Sequence, residues 1–214
     1  MSGLKPIKLL PARERVASEL REAILSRRVS EGEILTQETT ARELGVSITP
    51  VREAFQILAR DGLIDLKQNK GAVVLGINGK MLREHYQVRA AMESAACALC
   101  CEGEKDISAV RQCLERADKA LANQDSGSYA NYNQSFHYEI WNAAGNEKLR
   151  RMLAELWNGL SMGLKSTEEE YASISQEEHR KIWEAMEKKD ADAARMEMEK
   201  HIYRSLEDIL TRYQ

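Results

Sequence analysis

Proline is nearly missing from this 214-residue chain: only Pro6, Pro11 and Pro50 occur. Aromatic residues make up only 6% of it, while Ala, Leu, Glu, Lys and Arg are plentiful. Few helix breakers and many straight-chain residues predict a mostly helical protein. No apolar run approaches the roughly 20 residues needed to span a bilayer. The opening stretch MSGLKPIKLLPARER holds no apolar run of signal-peptide length. A cytoplasmic protein with no membrane partner is the expectation.

Cysteine is also scarce. Cys97, Cys100, Cys101 and Cys113 are the four, and three of them crowd into about one helical turn. Without an export signal they do not read as a disulfide framework. A second pair at metal-binding spacing is missing, so small buried helix residues are the favoured reading and a metal or redox site the alternative. The net charge of −3 argues against a nucleic-acid binder until it is divided. Residues 1–78 carry 12 basic and 10 acidic side chains, whereas the remainder carries 19 and 24. That mild asymmetry has the direction expected of a nucleic-acid module followed by a more acidic one.

Along the chain, Val16, Leu20 and Ile24 recur every four residues and predict a helix over 12–27. Val29–Leu35 reads as a loop. Thr36 is suited to cap a second helix that ends near Leu44, with Gly45 as its stop. Ser47 or Thr49 can cap a third, in which Val51, Ala54, Phe55 and Leu58 form the inner face. Thr49, Arg52 and Gln56 fall on the opposite face. Gly62 ends that helix. The runs Leu63–Leu66 and Ala72–Leu75 are β-prone and joined by the turn-like Lys67–Gly71. Three helices and a hairpin, in that order, predict a winged helix-turn-helix over 1–78. The glycines at Gly76 and Gly79 mark the boundary.

Residues 79–214 read as an all-helical domain with helices near 80–102, 106–123, 127–143, 147–165, 172–188 and 190–212. Asp106 and Asp190 are placed as N-caps. Short loops suggest an antiparallel bundle. The expected class is therefore mostly α, a winged helix-turn-helix followed by a helical bundle.

A helix that enters the major groove must offer donors and acceptors to base edges and phosphates. Arg52 has the fork that matches the two acceptors of guanine. Ser47 and Thr49 sit at a helix start, where hydroxyls and backbone N–H groups bind phosphate. Lys70 can approach a phosphate or the minor groove from the wing, and Gly71 can let the backbone come close. In the second domain the only histidines are His85, His137, His179 and His201. Asn133 and His137 are four apart, so both project from one helix face. His179 and His201 lie on two other helices, and a bundle can gather such side chains round an ion.

The run Gly45-Val46-Ser47-Ile48-Thr49-Pro50-Val51-Arg52-Glu53-Ala54, followed by Leu58 and Asp61-Gly62-Leu63-Ile64, resembles the signature of the GntR family of regulators. Ile48 stands where members commonly carry arginine, which suggests an altered operator preference, with an apolar contact to a thymine methyl in place of a charge. Residues 80–212 are similar to the FCD branch of that family. The resemblance rests on Val88-Arg89 with Glu93, on Asn133-x-x-Phe136-His137 leading to Gly145-Asn146, on Glu178-His179 and on His201. It implies a homodimer on a palindromic double-stranded DNA operator, controlled by a small carboxylate effector. It further implies a divalent metal held by Asn133, His137, His179 and His201, with Asn133 replacing the usual aspartate. Three imidazoles suit zinc or nickel. Arg89 is the candidate effector anchor, with an ion pair to Glu93 as the competing role. A metal-free acyl-CoA-type sensor and a three-histidine metalloenzyme are the alternatives.

Overall fold

The computed structural model describes residues 11–67, 71–76, 78–158 and 169–212. Two compact units divide the chain, Met1–Ile77 and Asn78–Gln214.

In the first unit, α1 (Ala12–Leu25) packs on α3 (Ile48–Arg60), and α2 (Gln37–Leu44) packs on α3 from another side. The four-residue rhythm of α1 buries Val16, Leu20 and Ile24, and the inner face of α3 buries Val51, Ala54, Phe55 and Leu58. Removing these side chains from water supplies the main stabilisation, about 25 cal/mol per Å2 of apolar surface. The Arg21 guanidinium adds a part-buried pair to Asp61 at 2.6 Å, which ties α1 to the C-terminal end of α3. Thr36 caps α2 by accepting from the Thr39 N–H. Gly45 terminates it at φ 64°, in the left-handed region that glycine enters at little cost.

The loop reading of residues 29–35 is corrected at its end. Ile34–Leu35 form β1, which pairs with β3 (Gly71–Val74) and makes the hairpin with β2 (Ile64–Lys67) a three-stranded antiparallel sheet of order β1-β3-β2. Two residues are too few to show an alternating pattern, so only the tertiary pairing reveals this strand. The hairpin register sets Ile64 opposite Val74 and Lys67 opposite Gly71. Gly71 is thus a strand residue, not part of the turn. It has φ 80°, and a Cβ there would run into the Leu35 carbonyl. Its lack of a side chain is what lets β1 and β3 approach.

Two cap readings also change. Ser47 occupies the N-cap of α3, but its hydroxyl makes no capping bond. Thr49 lies inside the helix. Asp106 precedes the N-cap, which is Ile107, and its carboxylate instead accepts from the Ser108 N–H at 2.9 Å.

The second unit contains α4 (Gly79–Cys100), α5 (Ser108–Ala122), α6 (Ser126–Ala143), α7 (Glu147–Asn158), α8 (Glu169–Glu187) and α9 (Ala191–Arg212). Asn78, Asp125, Asn146 and Asp190 each accept from the N–H three residues on, which fixes the starts of α4, α6, α7 and α9. The pairs α5/α6 and α8/α9 pack together across short connections, so each is an antiparallel hairpin; α4 lies along α9. Residues 159–165 of the expected fourth helix lie outside the described residues. Trp141, Tyr129, Phe136 and Ile140 of α6 fill the core. All four cysteines are buried and free, as small core residues. Among the described residues no helix is long and apolar enough to cross a membrane.

Gly71→Ala adds a side chain at a positive φ and against a carbonyl. It is expected to destabilise the first unit by about 1–3 kcal/mol, seen as a lower thermal midpoint.

Candidate functional site

Two sites emerge, one in each unit. On α3 the inner face is buried, so Ser47, Ile48, Thr49, Arg52 and Gln56 form one exposed ridge. Ile48 is 39% exposed, unusual for a large apolar side chain at a helix start. The Arg52 Nε donates to the Gln37 Oε1 on α2 at 3.3 Å, an exposed contact that leaves its terminal amino groups free of that bond. Because Ser47 does not cap, its hydroxyl is available to another partner. Lys70 lies outside the described residues.

In the second unit, three buried histidines converge from three helices: His137 on α6, His179 on α8 and His201 on α9. Their candidate ligand atoms all lie within 4.8 Å of one another. His179 and His201 face each other Nε2 to Nε2 at 3.3 Å. Two nitrogens bound to one metal at about 2.0–2.1 Å lie roughly 3–3.4 Å apart, so this spacing fits a shared ion. Phe136 stacks on His179 with ring centres 4.1 Å apart and holds that ring in place.

The opposite edges of two of these rings are fixed by carboxylates. The His137 Nδ1 lies 2.5 Å from the Glu93 Oε2, and the His201 Nδ1 lies 2.7 Å from the Glu178 Oε2. Burial alone would raise the Glu93 carboxyl, but the adjacent Arg89 and His137 outweigh it and hold Glu93 well below the usual carboxylate range. Glu178 is likewise lowered, because His201 and Arg204 overcome its burial. Ionised carboxylates accept only, so each ring carries its hydrogen on Nδ1 and turns the Nε2 lone pair inward. The His137 Nε2 is buried with no hydrogen-bond partner. A buried, unpaired acceptor of this kind is costly unless something binds it. Carboxylate–histidine pairs with an open Nε2 are the arrangement found around protein-bound metals. The residues present therefore fit a divalent ion.

Burial also keeps the rings neutral, as ligation requires. It pushes His201 down to about 4 and His179 well below its ordinary value, the latter helped by the neighbouring His201 and His137. His137 is lowered as well, although Glu93 opposes the effect.

Arg89 makes the ion pair: its Nε meets the Glu93 Oε1 at 2.5 Å. Its guanidinium lies 4.4 Å from the centre of the Trp157 ring and 5.5 Å from that of Tyr86. Asn133 sits one turn before His137 on α6 and is half-buried. His85, the fourth histidine, stands apart from the three that converge, one turn before Arg89 on α4.

Sequence reasoning had named Glu93 and Glu178 as family marks without their role as Nδ1 partners. Trp141 was missed, although its Nε1 donates to Glu93 at 3.2 Å. So was Arg204, which clasps Glu178 through Nε at 2.8 Å and an amino group at 2.6 Å. Their i+4 and i+3 spacings from His137 and His201 place them beside those rings and were the available signal.

A winged helix-turn-helix joined to an all-helical unit with a buried polar centre defines a two-part transcription regulator. Comparison with known proteins makes this specific. The family described as bacterial regulatory proteins, gntR family, matches residues 12–74, and the FCD domain matches residues 84–204. The chain belongs to the GntR family, carries an FCD domain, and is a regulator and not an enzyme.

Among its relatives, the gluconate operon transcriptional repressor of Bacillus subtilis is 32% identical over 71% of this chain and 61% of its own length. The probable D-xylose utilization operon transcriptional repressor of Paenarthrobacter nicotinovorans is 30% identical over 89% of this chain and 87% of its own. The solved structure of Escherichia coli McbR/YncC superposes with a TM-score of 0.71, covering 96% of this chain and all of that one. At 21% identity it speaks for the fold alone.

The lowered histidines set a pH dependence. A folded-state pKa below the ordinary 6.5 means the unfolded chain takes up the proton first. Stability is then fully present above 6.5 and falls as pH drops toward 4. For His201 alone the loss by pH 4.5 is roughly 2–3 kcal/mol, and the lowered Glu93 and Glu178 act in the same direction. Metal-stripped protein should lose thermal midpoint steadily from pH 7 to 4.5; a flat profile contradicts the buried neutral assignment.

Proposed function

We propose that this chain is a homodimeric, cytoplasmic repressor whose operator affinity is set by a carboxylate bound at a divalent metal in the FCD domain. On this reading residues 1–78 bind DNA, and residues 79–214 bind effector and carry the dimer contact. The observation that carries the sensing half is the convergence of His137, His179 and His201 with the unpaired His137 Nε2 between them. These residues, with Asn133, hold zinc, nickel or a similar ion, which supplies a Lewis-acidic anchor for an anionic oxygen. Arg89 is the second anchor, reaching a carboxylate through its terminal amino groups. The gluconate operon repressor among the relatives is named for a hydroxycarboxylate, which agrees with that effector class.

In the DNA-binding half, the exposed ridge of Ser47, Ile48, Thr49, Arg52 and Gln56 lies in the major groove, and Lys70 and Gly71 of the wing approach the backbone. Arg52 reads guanine, Ser47 and Thr49 meet phosphate, and Ile48 packs on a thymine methyl. A dimer sets two such helices about one DNA turn apart on a palindrome. Effector binding changes the pose of the winged units, with a coupling of about 1–3 kcal/mol.

Two measurements test this. Purified protein loaded with zinc or nickel and then desalted should retain one ion per chain by elemental analysis, and His137→Ala should lose it. Wild-type protein without bound ion contradicts the metal reading. Separately, Arg52→Ala should weaken binding to an operator selected from random DNA by about 1–3 kcal/mol, with little change on non-specific DNA. Unchanged operator affinity would remove Arg52 from the reading role.

A further inference from the structure

We propose that the three-histidine centre is incomplete without its effector: the carboxylate supplies the only anionic donor, so metal and carboxylate bind cooperatively. This rests on the metal reading above and says how that site is regulated.

The argument is one of charge. Every donor assigned to the centre is uncharged, three imidazoles and the Asn133 amide, and no carboxylate belongs to the metal-capable cluster among the described residues. The two carboxylates nearby are committed elsewhere. Glu93 gives Oε1 to Arg89 and Oε2 to both His137 and Trp141. Glu178 gives Oε1 to Arg204 and Oε2 to His201 and Arg204. Both lie on the Nδ1 side of their rings, away from the inward Nε2 edge. Glu93 is matched by Arg89, while Arg204 is shared between Glu178 and the more exposed Asp208, so the fully enclosed pair on the His137 side is neutral before any ion enters. Asn133, one turn before His137, brings an amide and no charge.

A divalent ion placed there keeps nearly its full +2 charge in a region shielded from water. An uncompensated buried charge is heavily penalised. Three imidazole nitrogens and one amide oxygen also leave positions open on an ion that takes six ligands. An anionic oxygen from outside answers both needs at once. The ligand that answers them best is a carboxylate with a second oxygen close by, such as a hydroxycarboxylate, because it offsets half of the ion's charge and fills two positions. By linkage, whatever factor the carboxylate adds to metal affinity, the metal adds to carboxylate affinity. The protein then responds to the pair and to neither partner alone.

The test uses metal-stripped full-length protein dialysed against a graded series of zinc concentrations, with and without millimolar glycolate as the probe. Bound metal is read by elemental analysis, and the same series with cobalt is read by its visible absorption. The expected result is at least a tenfold gain in apparent metal affinity with glycolate. Free glycolate also chelates metal, which works against that gain. Asn133→Asp restores an anionic donor. It should bind metal more tightly without glycolate and show a much smaller gain with it. Thermal melting confirms that this half-buried position tolerates the change. Tight stoichiometric metal binding that glycolate leaves unaltered overturns the cooperative proposal while leaving the metal site standing. A gain that Asn133→Asp does not diminish overturns the charge argument. No retained metal under any condition, in protein that melts cooperatively, overturns the metal reading and this proposal together.

Discussion

The second unit is organised around one buried carboxylate. Glu93 is fully enclosed, and it binds Arg89 on its own helix and His137 and Trp141 on α6. An ionised side chain in such a place is tolerable only when every lone pair has a partner. That requirement dictates much else: the rotamer of Arg89, the tautomer of His137 and the pairing of α4 with α6. Through His137 it also aims the Nε2 lone pair at His179 and His201. Glu178 repeats the device on the other side with His201 and Arg204. Two carboxylates thus orient two rings, and Phe136 steadies the third by stacking.

The fold was largely legible because its signals are periodic. Val16, Leu20 and Ile24 in α1, and Val51 to Leu58 in α3, show their buried faces directly in their spacing. The starts of α4, α6, α7 and α9 were visible to within one or two residues, since Asx side chains and glycine have few other uses at those places. What escaped was set by tertiary contact. Ile34–Leu35 is a strand only because β3 lies beside it. Gly71 looked like a turn residue, and the Leu35 carbonyl that demands a glycine there is remote in sequence. Asp106 satisfies the capping preference, yet it meets Ser108 from outside the helix.

The histidine trio was named from the sequence, first as side chains that a bundle can gather round an ion and then, with Asn133, as the ligand set implied by the family resemblance. Composition and spacing alone give three isolated residues on three helices. The structure adds what makes them a site: convergence and burial, with the tautomers of His137 and His201 set by Glu93 and Glu178. The carboxylate partners explain why Arg89 and Glu93 stand four apart, a spacing that by itself reads as an ordinary helical ion pair. Arg89 holds that pair and at the same time lies against Trp157 and Tyr86.

A core required only to fold gains nothing from this arrangement. Replacing a buried ion pair by well-packed apolar side chains is often neutral or stabilising, and an unpaired buried Nε2 is a net cost. The second unit nevertheless invests a run of its inner positions on α4, α6, α8 and α9 in charged and imidazole side chains. Apolar packing elsewhere, around Ile140, Leu153 and Ile182, carries the stability that tolerates them. The cost is local, and anything that binds the unpaired His137 Nε2 relieves it. A site held ready at the expense of stability, in a unit joined to a winged helix-turn-helix, is what a sensor needs: occupancy changes the free energy of the helices that carry the ligands, and α4, which carries Arg89 and Glu93, begins directly where the winged unit ends.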